Sequence, residues 1–291
     1  MIIMKKKVLF ILGTAHCGST LLSLILDSHP QCLTVGELSN FPKLNKTGKL
    51  DNFWNHQFSQ KELHNLSLGL SNARISPAIP LKVEKFFREI VNDDIFRPYS
   101  IIASKTPADI IVDSTKVIYW ISSMLQLKEL KKKFDIYLLH LVRDGRAVLN
   151  SYLKKRRYMT VKKFANLWLK RVTNNEVFFE KFYTKNKILV RYEKLVTQPL
   201  ATTQQICDFL GIEFQPEMLE YWKYEHHIIS GNRGTRASMN KHKNSIEKKQ
   251  NLINELIKLD SSWLTEVTEN TIGEFYAIIG DKNKSYEWDY E

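Results

Sequence analysis

The sequence predicts an α/β fold in which a single domain is built on a central parallel β-sheet flanked by helices. Short apolar segments rich in β-branched and aromatic residues alternate with helical patterns, as in a parallel sheet with right-handed crossovers. The composition, with 43% hydrophobic and 11% aromatic residues, is that of a globular protein. No convincing linker divides the sequence, so residues 1–291 are expected to form one domain.

The amino-terminal part predicts a strand, a helix and a second strand in succession. Lys7–Leu12 is a short apolar run that indicates a fully buried strand, bounded by Gly13. Thr20–Ser28 is apolar on nearly all sides, which favours a helix buried behind the sheet, and His29-Pro30 ends it. Cys32–Val35 is then the second predicted strand.

The remaining strands are predicted by the same signals. They are Ile110–Val112, Ile136–Val142 and Lys187–Arg191. Residues 113–116 are expected to lead from the third strand into a helix that runs to about Lys133. A further helical stretch follows the fourth strand and runs to about Arg156.

Two regions fit the alternation less well. Residues 43–100 carry helical patterns around 61–70 and 81–91, and we expect them to form a helical insertion that caps the sheet. Residues 237–291 are expected to form a carboxyl-terminal helical region, which follows a glycine-containing break at 230–236.

The charge balance excludes an acidic, solvating protein. Lys and Arg number 43 against 31 Asp and Glu, which gives a formal net charge of +12. Such a charge suits a polyanionic ligand or an acidic partner. It also prompts the alternative of a nucleic-acid-binding protein, but the basic residues are not interleaved with aromatic residues as in a known module, so no nucleic-acid partner is expected.

The cysteines and the apolar segments indicate a cytoplasmic protein. Cys17, Cys32 and Cys207 are odd in number and lack metal-ligand spacing, so neither a disulfide framework nor a metal site is predicted. No apolar run reaches the roughly 18 residues of a transmembrane helix. The apolar run after Lys5-Lys6-Lys7 is shorter than the apolar core of a secretory signal, which has roughly 7–15 residues.

A glycine loop follows the first predicted strand. Gly13-Thr14-Ala15-His16-Cys17-Gly18-Ser19-Thr20 has the frame of a phosphate-binding loop, but Ser19 stands where that loop carries lysine. The backbone amides and the helix dipole can still bind an anion, whereas the cation that reaches a nucleoside triphosphate is missing. The alternative is a tight turn whose hydroxyl groups cap the helix.

A second candidate anion site follows the fourth predicted strand. Arg143 lies at the strand end, and Ser151 comes eight residues later. If a helix starts near Asp144, Ser151 lies two turns along it and can share a phosphate with Arg143. The alternative is an ordinary ion pair between Asp144 and Arg146 at the helix start.

Four segments, in order, resemble the sulfotransferases that use 3′-phosphoadenosine 5′-phosphosulfate (PAPS). GTAHCGSTLLSLILDSHP (13–30) resembles their 5′-phosphosulfate loop and LHLVRDGRAVLNSY (139–152) their 3′-phosphate motif. Residues 190–212 resemble the following segment, and SGNRGTR (230–236) resembles the late loop over the nucleotide. The likeness is closest to the bacterial, carbohydrate and tyrosylprotein branches. It implies a P-loop-like sulfotransferase fold with a core over 7–236.

The resemblance also implies which residues bind the donor, PAPS, and the product PAP, its desulfated form. They are His16, Cys17, Gly18, Ser19, Thr20, Leu21, Arg143, Ser151, Tyr192, Asn232 and Arg233, with Lys155 as an additional cation. Many family members have arginine at the position of His16. The imidazole must therefore replace a permanent cation, either protonated or as a neutral hydrogen-bonding group.

The implied reaction is an in-line transfer of a sulfuryl group to a hydroxyl, or less readily an amine, of an acceptor. By analogy with phosphoryl transfer, the protein supplies positioning and electrostatic stabilisation, and no metal is expected. Lys116 matches the family's catalytic lysine, with Lys105 as a competing candidate. Glu37 stands where tyrosylprotein sulfotransferases carry their base, although a structural ion pair is the alternative. His16 completes the predicted catalytic group.

Two questions stay open at this point. A nucleoside-triphosphate-dependent kinase with a degenerate loop is an alternative, and Asp113 is the one candidate for its Mg²⁺ carboxylate. The acceptor is also open among a sugar, a lipid, a peptide tyrosine and a small phenol. His140, within the fourth strand, is expected to be a core histidine, and His226-His227 lie near the late loop.

Overall fold

A five-stranded parallel sheet organises the part of the chain that the computed structural model describes, residues 5–72, 97–156, 158–242 and 249–290. Its order is β2-β3-β1-β4-β5, and each neighbouring pair is parallel. The strands span Lys6–Gly13 (β1), Cys32–Gly36 (β2), Ile110–Lys116 (β3), Phe134–Val142 (β4) and Lys187–Arg191 (β5). The predicted fold class is confirmed.

The helices cover both faces of the sheet. They span Ser19–Asp27 (α1), Phe41–Lys46 (α2), Asn52–Gln57 (α3), Gln60–Asn72 (α4), Pro98–Ala103 (α5), Ile118–Met124 (α6), Lys128–Lys133 (α7), Gly145–Lys155 (α8), Val161–Glu180 (α9), Tyr192–Thr197 (α10), Pro199–Leu210 (α11), Arg233–His242 (α12), Lys249–Leu256 (α13), Trp263–Glu266 (α14) and Glu269–Ile279 (α15). Short 3₁₀ segments span Leu38–Asn40, Pro216–Lys223 and Gly280–Ser285. No helix in these described ranges has both the length and the apolar character needed to cross a membrane.

The central strand β1 is apolar because both of its faces are buried. Leu9 and Ile11 pack with Leu22 of α1 in one hydrophobic cluster, whereas Phe10 lies in a second cluster on the opposite face with Trp120 of α6. Side chains alternate between the faces of a strand, so a near-continuous apolar run is what a strand covered on both sides requires.

The third strand is longer than predicted, and the helix after it is broken. Residues 113–116 belong to β3 rather than to a helix start, and the register between β1 and β3 shifts between the pairs Phe10–Asp113 and Leu12–Lys116. Such a bulge bends a strand and redirects its side chains. The predicted helix to Lys133 is instead two short helices, α6 and α7, separated by the buried Leu127 in an extended conformation.

The insertion and the late segment agree only in part with the predictions. The helical pattern at 61–70 corresponds to α4, whereas the pattern at 81–91 lies outside the described residues. The break expected over 230–236 is shorter, because α12 already begins at Arg233. There the Asn232 side chain accepts a hydrogen bond from the Gly234 amide at 2.8 Å, a helix-capping contact.

Candidate functional site

The predicted site residues meet at the carboxyl-terminal edge of the sheet. Gly13, Gly36, Lys116 and Val142 end β1, β2, β3 and β4, and these strands are neighbours and parallel. Loops that follow parallel strands converge at one edge, which is where open α/β sheets bind ligands. Two cavities lie there, one of about 740 Å³ and one of about 1100 Å³. We call them the loop cavity and the outer cavity.

The glycine loop has the backbone geometry of an anion cradle. His16 and Gly18 adopt left-handed φ angles of 64° and 94°. Gly18 is also the N-cap of α1, and as a glycine it has no side chain with which to cap the helix. The start of the helix, with its partial positive charge, therefore faces the cavity without a capping residue at this position, as suits an anion.

Tyr192 explains why position 18 is glycine. A Cβ atom at Gly18 would lie 2.2 Å from Cδ2 of the Tyr192 ring, a severe overlap. The same ring also supports the Arg143 guanidinium, whose central carbon lies 4.3 Å from the ring centroid. Tyr192 thus packs against both anion sites, and its buried position indicates a supporting role in addition to any contact with a ligand.

Arg143 is the buried cation of the second site. Its side chain is only 7% exposed, and its Nη1 donates to the carbonyl oxygen of His16 at 2.9 Å. Its Nη2 donates to Asp260 Oδ2, also at 2.9 Å. Among the described residues its Nε has no hydrogen-bond partner, although it is buried. A buried guanidinium N–H without a partner is costly and suits an anionic ligand.

Most of the predicted donor-binding residues share the loop cavity. Its lining includes His16, Gly18, Ser19, Thr20, Leu21, Arg143, Ser151, Lys155, Tyr192, Asn232 and Arg233. The side chain of Cys17 is the exception, because it is fully buried in the hydrophobic cluster behind the loop. Cys17 therefore does not line the loop cavity.

The late loop is attached to the glycine loop by one hydrogen bond. The backbone amide of Asn232 donates to Thr20 Oγ1 at 2.8 Å. Gly231 has a φ of 128°, which allows the late loop to approach the glycine loop closely. The hydroxyl hydrogen of Thr20 stays available to an anion. Because the Asn232 side chain caps α12, its amide oxygen is engaged in the fold.

Glu37 and Lys116 form an ion pair where the two cavities meet. Lys116 Nζ lies 2.6 Å from Glu37 Oε1 and also donates to the Ser114 carbonyl oxygen at 3.0 Å. Lys116 has a left-handed φ of 69°, which turns its side chain back toward the strand end. Asn40 donates to Glu37 Oε2 at 3.0 Å. Both members of the ion pair line both cavities.

The other candidate lysine lies elsewhere. Lys105 Nζ pairs with Glu62 Oε1 at 2.8 Å, and Lys105 lines neither of the two cavities. Of the two lysines, Lys116 is therefore the one that the fold brings to the site.

Asp113 is a site-supporting residue whose role the sequence did not reveal. This buried carboxylate accepts from Tyr99 Oη at 2.7 Å and Trp120 Nε1 at 2.8 Å through one oxygen. Its other oxygen accepts from the Thr115 amide at 2.9 Å and from Thr115 Oγ1 at 2.6 Å. These contacts hold the β3 bulge that precedes Lys116.

The contacts of Asp113 also bear on the kinase alternative. Both oxygens are occupied by protein donors, so Asp113 is a structural carboxylate rather than an accessible one. Burial raises the pKa of Asp113, although the hydrogen bonds from Thr115, Trp120 and Tyr99 oppose the shift. Within the described ranges, no group of three or more His, Cys, Asp and Glu side chains is arranged to hold a metal ion.

His16 is a neutral imidazole in this environment. Burial, together with the nearby cations of Lys155 and Arg143, lowers the pKa of His16 to about 4. Its ring packs edge-on against Tyr152, with the centroids 4.9 Å apart. This pKa favours the neutral, hydrogen-bonding form of His16 at neutral pH.

The outer cavity is strongly basic. Its lining includes the cations Lys116, Arg156, Lys170, Arg171 and Lys181. Glu37 is the one carboxylate among the described residues that line it. The apolar part of the wall includes Ile118, Tyr119, Leu167 and Phe178.

The remaining candidates have structural partners. His140 is buried in the sheet, as predicted, and His226 is held away from the site by Asp27, with Nδ1 and Oδ2 2.8 Å apart. Asp144 caps α8 and pairs with Arg146 at 2.6 Å, so the ordinary ion pair at the helix start is present as well.

The carboxyl-terminal region contributes residues that no sequence motif indicated. Lys258, Asp260 and Ser262 line the loop cavity, next to Arg143. The loop that carries them lies more than 100 residues from Arg143 in the chain, and its amino-acid sequence resembles no known motif that we identified. A sequence signal for this contact was therefore absent.

Comparison with known proteins assigns the chain to a family. A family model described as "Sulfotransferase family" matches residues 9–216. Protein-tyrosine sulfotransferase A of Caenorhabditis elegans is 25% identical over 277 residues, which cover 93% of this chain and 64% of that protein. The chain thus spans less than two thirds of this relative. The chain belongs to the sulfotransferase family.

Solved structures with similar folds are also sulfotransferase domains. The domain from the Synechococcus PCC 7002 olefin synthase has a TM-score of 0.54 and 18% identity, with 99% of this chain and 98% of that one covered. The domain from the curacin biosynthetic pathway has the same score and identity, with 98% and 99% covered. The fold, family and enzyme class predicted from the sequence are confirmed.

Proposed function

We propose that this sulfotransferase moves a sulfuryl group from PAPS to a hydroxyl group. The hydroxyl is that of a tyrosine in an acidic peptide, which is the acceptor. The observation that carries the proposal is the position of the Glu37–Lys116 pair. Both residues line the loop cavity, which holds the anion-binding groups, and the outer cavity, which is open to a second molecule. A group that passes from one cavity to the other passes these two side chains.

The donor side is supported by two anion sites of different kinds. Backbone amides at the start of α1 suit the 5′-phosphosulfate. Nε of Arg143, which has no partner within the part of the chain that the structure describes, suits the 3′-phosphate. The His16 carbonyl joins the two sites through Arg143 Nη1. PAPS carries both anionic groups on one adenosine, which is why we assign it as the donor and PAP as the product.

The chemistry follows from the groups at the meeting point. The acceptor oxygen attacks the sulfur as its proton passes to the Glu37 carboxylate, and the bond from sulfur to the bridging phosphate oxygen breaks. The Lys116 ammonium stabilises the negative charge that develops on that oxygen, and PAP leaves with it. His16, which lines the loop cavity, donates a hydrogen bond to the transferred group.

The acceptor side is supported by charge and by a relative. The cations Lys170, Arg171 and Lys181 favour an acceptor with carboxylates, and the wall near Tyr119 and Phe178 suits an aromatic ring. A relative named protein-tyrosine sulfotransferase agrees with such a peptide.

We assign the protein to the cytoplasm, since the three cysteines in the described ranges are free and buried.

A transfer assay with radiolabelled PAPS tests this function. Peptides with one tyrosine flanked by Asp and Glu, the same peptides flanked by Lys, a sulfatable oligosaccharide and 4-nitrophenol serve as acceptors. We expect label on the acidic peptide above all others and a loss of that preference at high salt. Transfer to the oligosaccharide alone would contradict the proposal that a peptide tyrosine is the acceptor. If none of the four acceptors is labelled, the proposed sulfuryl transfer itself is contradicted.

A further inference from the structure

An acidic segment from the carboxyl-terminal region covers the Arg143 site. We call residues 260–266 the acidic cap. It is attached to α8, the helix that carries Ser151, because Asn150 Nδ2 donates to Ser262 Oγ at 3.1 Å and Lys154 pairs with Glu266. The cap therefore lies against the helix assigned to the 3′-phosphate.

Asp260 is held in a fixed orientation within this cap. Its Oδ1 accepts from the Ser262 amide at 3.2 Å and from Ser262 Oγ at 2.7 Å, which leaves Oδ2 directed at Arg143. Asp260 is 42% exposed, whereas Arg143 is 7% exposed. Burial alone would raise the pKa of Asp260, but the Ser262 hydrogen bonds and the Arg143 charge lower it overall. A carboxylate anion thus lies on the accessible side of the buried guanidinium.

The contact uses only part of the guanidinium. Nη1 of Arg143 is bonded to the His16 carbonyl, Nη2 holds Asp260, and Nε has no partner among the described residues. Nε and Nη2 form the edge that binds an oxyanion with two parallel hydrogen bonds. Asp260 meets one of these two donors, whereas a phosphate with three oxygens can meet both.

We propose that Asp260 sets the affinity for 3′-phosphorylated nucleotides by competing with the 3′-phosphate for Arg143. The inference rests on the proposed function, because it takes PAPS and PAP as the ligands. The phosphate displaces the carboxylate, since it carries more charge and satisfies Nε as well. The displaced Asp260 carboxylate stays close to the bound 3′-phosphate and repels it. This repulsion weakens the binding of PAP and speeds its release.

The Asp260→Asn variant tests this competition by calorimetric titration with PAP and with AMP, which lacks the 3′-phosphate. We expect PAP to bind at least about threefold more tightly than to the wild type, as for one partly exposed charge contact, while AMP binds equally to both. The control is Asp281→Asn, which makes the same charge change at an 83% exposed side chain paired with Lys284 and should leave both affinities unchanged.

A second variant keeps the test independent of the charge change. Ser262→Ala removes the hydroxyl that orients Asp260, keeps the carboxylate, and should tighten PAP by a smaller factor. Unchanged or weaker PAP binding in Asp260→Asn, or an equal gain for AMP, would overturn the inference while the proposed function stands. A wild-type protein that binds neither nucleotide would overturn the proposed function and this inference together.

Discussion

Arg143 Nη1 donates a hydrogen bond to the carbonyl oxygen of His16 at 2.9 Å, across 127 residues of chain. The two anion sites are therefore one connected structure, in which the loop after β1 and the strand end of β4 hold each other in place. Tyr192 adds a second connection, because its ring contacts Gly18 and supports the guanidinium. A ligand with two anionic groups can therefore use both sites while the hydrogen bond that joins them stays in place.

Substitution of Arg143 should weaken binding of PAP selectively. Arg143→Ala removes a charge-assisted contact to the 3′-phosphate together with the hydrogen bond to the His16 carbonyl. PAP binding should therefore weaken by about 2–3 kcal/mol, and AMP binding should weaken by clearly less. Arg143→Lys should restore only part of the loss, since an ammonium cannot present two parallel donors. Calorimetric titration measures both nucleotides, and an equal loss for PAP and AMP would argue against a 3′-phosphate site.

Substitution of Lys116 should lower turnover without a matching loss of donor binding. The ammonium acts on charge that develops in the transition state, so Lys116→Ala should lower kcat by roughly 10²–10³-fold, as for the loss of one stabilising donor. Lys105→Ala is the matched control, because Lys105 pairs with Glu62 away from both cavities. Steady-state kinetics with labelled PAPS separate the two lysines, and comparable losses would refute the assignment.

Substitution of Glu37 should also act on turnover. Glu37→Gln keeps the size of the side chain but removes the base, so kcat should fall by roughly 10²–10⁴-fold while the Kd for PAP stays within about a factor of three. The change also breaks the ion pair with Lys116, so thermal unfolding of the variant should be recorded beside the kinetics. A fully active Glu37→Gln protein would remove Glu37 from the mechanism.

Asp113 is expected to act on catalysis through Lys116. Asp113→Asn keeps one oxygen for Thr115 but presents an amide to Tyr99 and Trp120, so the β3 bulge should loosen. We expect kcat to fall by about tenfold or more with a KM for PAPS near that of the wild type. The double variant with Lys116→Ala should lose little beyond Lys116→Ala alone; additive losses would show that Asp113 acts independently of the lysine.

His140 should make the protein sensitive to acid. Burial lowers the pKa of His140 from 6.5 to about 4, so the unfolded chain binds more protons between these values. The free energy of unfolding should therefore fall as the pH drops through this window, by about 3 kcal/mol at most. Urea unfolding at several pH values should show a smaller decline in His140→Leu than in the wild type. His64→Leu, at an exposed position, should keep the full decline.

The parts of the molecule that could be predicted from the sequence are those with local signals. Lys7–Leu12 is apolar because both of its faces are buried, and this run could be recognised without any knowledge of its neighbours. Arg143 could be proposed because it follows a predicted strand, where open α/β sheets bind ligands. Glu37 could be proposed because the resemblance to tyrosylprotein sulfotransferases implies a base at its position. The roles of these residues stay predictions, as does the single-domain organisation.

The errors arose where distant contacts outweigh local preference. Asp113, Ser114 and Thr115 are residue types that favour helix starts, yet they form a β3 bulge because Tyr99 and Trp120 donate to the buried carboxylate. The contact between Asp260 and Arg143 joins residues 117 positions apart, and neither residue carries a pattern that predicts the other. Contacts of this kind depend on the packing of whole helices and not on a motif.

The most direct test of the account compares PAP with ADP, two adenosine nucleotides that carry two phosphates in different places. Calorimetric titration of the wild-type protein should show PAP binding at least about 100-fold more tightly than ADP, because only PAP reaches both the loop amides and Arg143. Equal affinities for the two nucleotides, or tighter binding of ADP, would contradict the assignment of one bisphosphorylated ligand to the two connected sites.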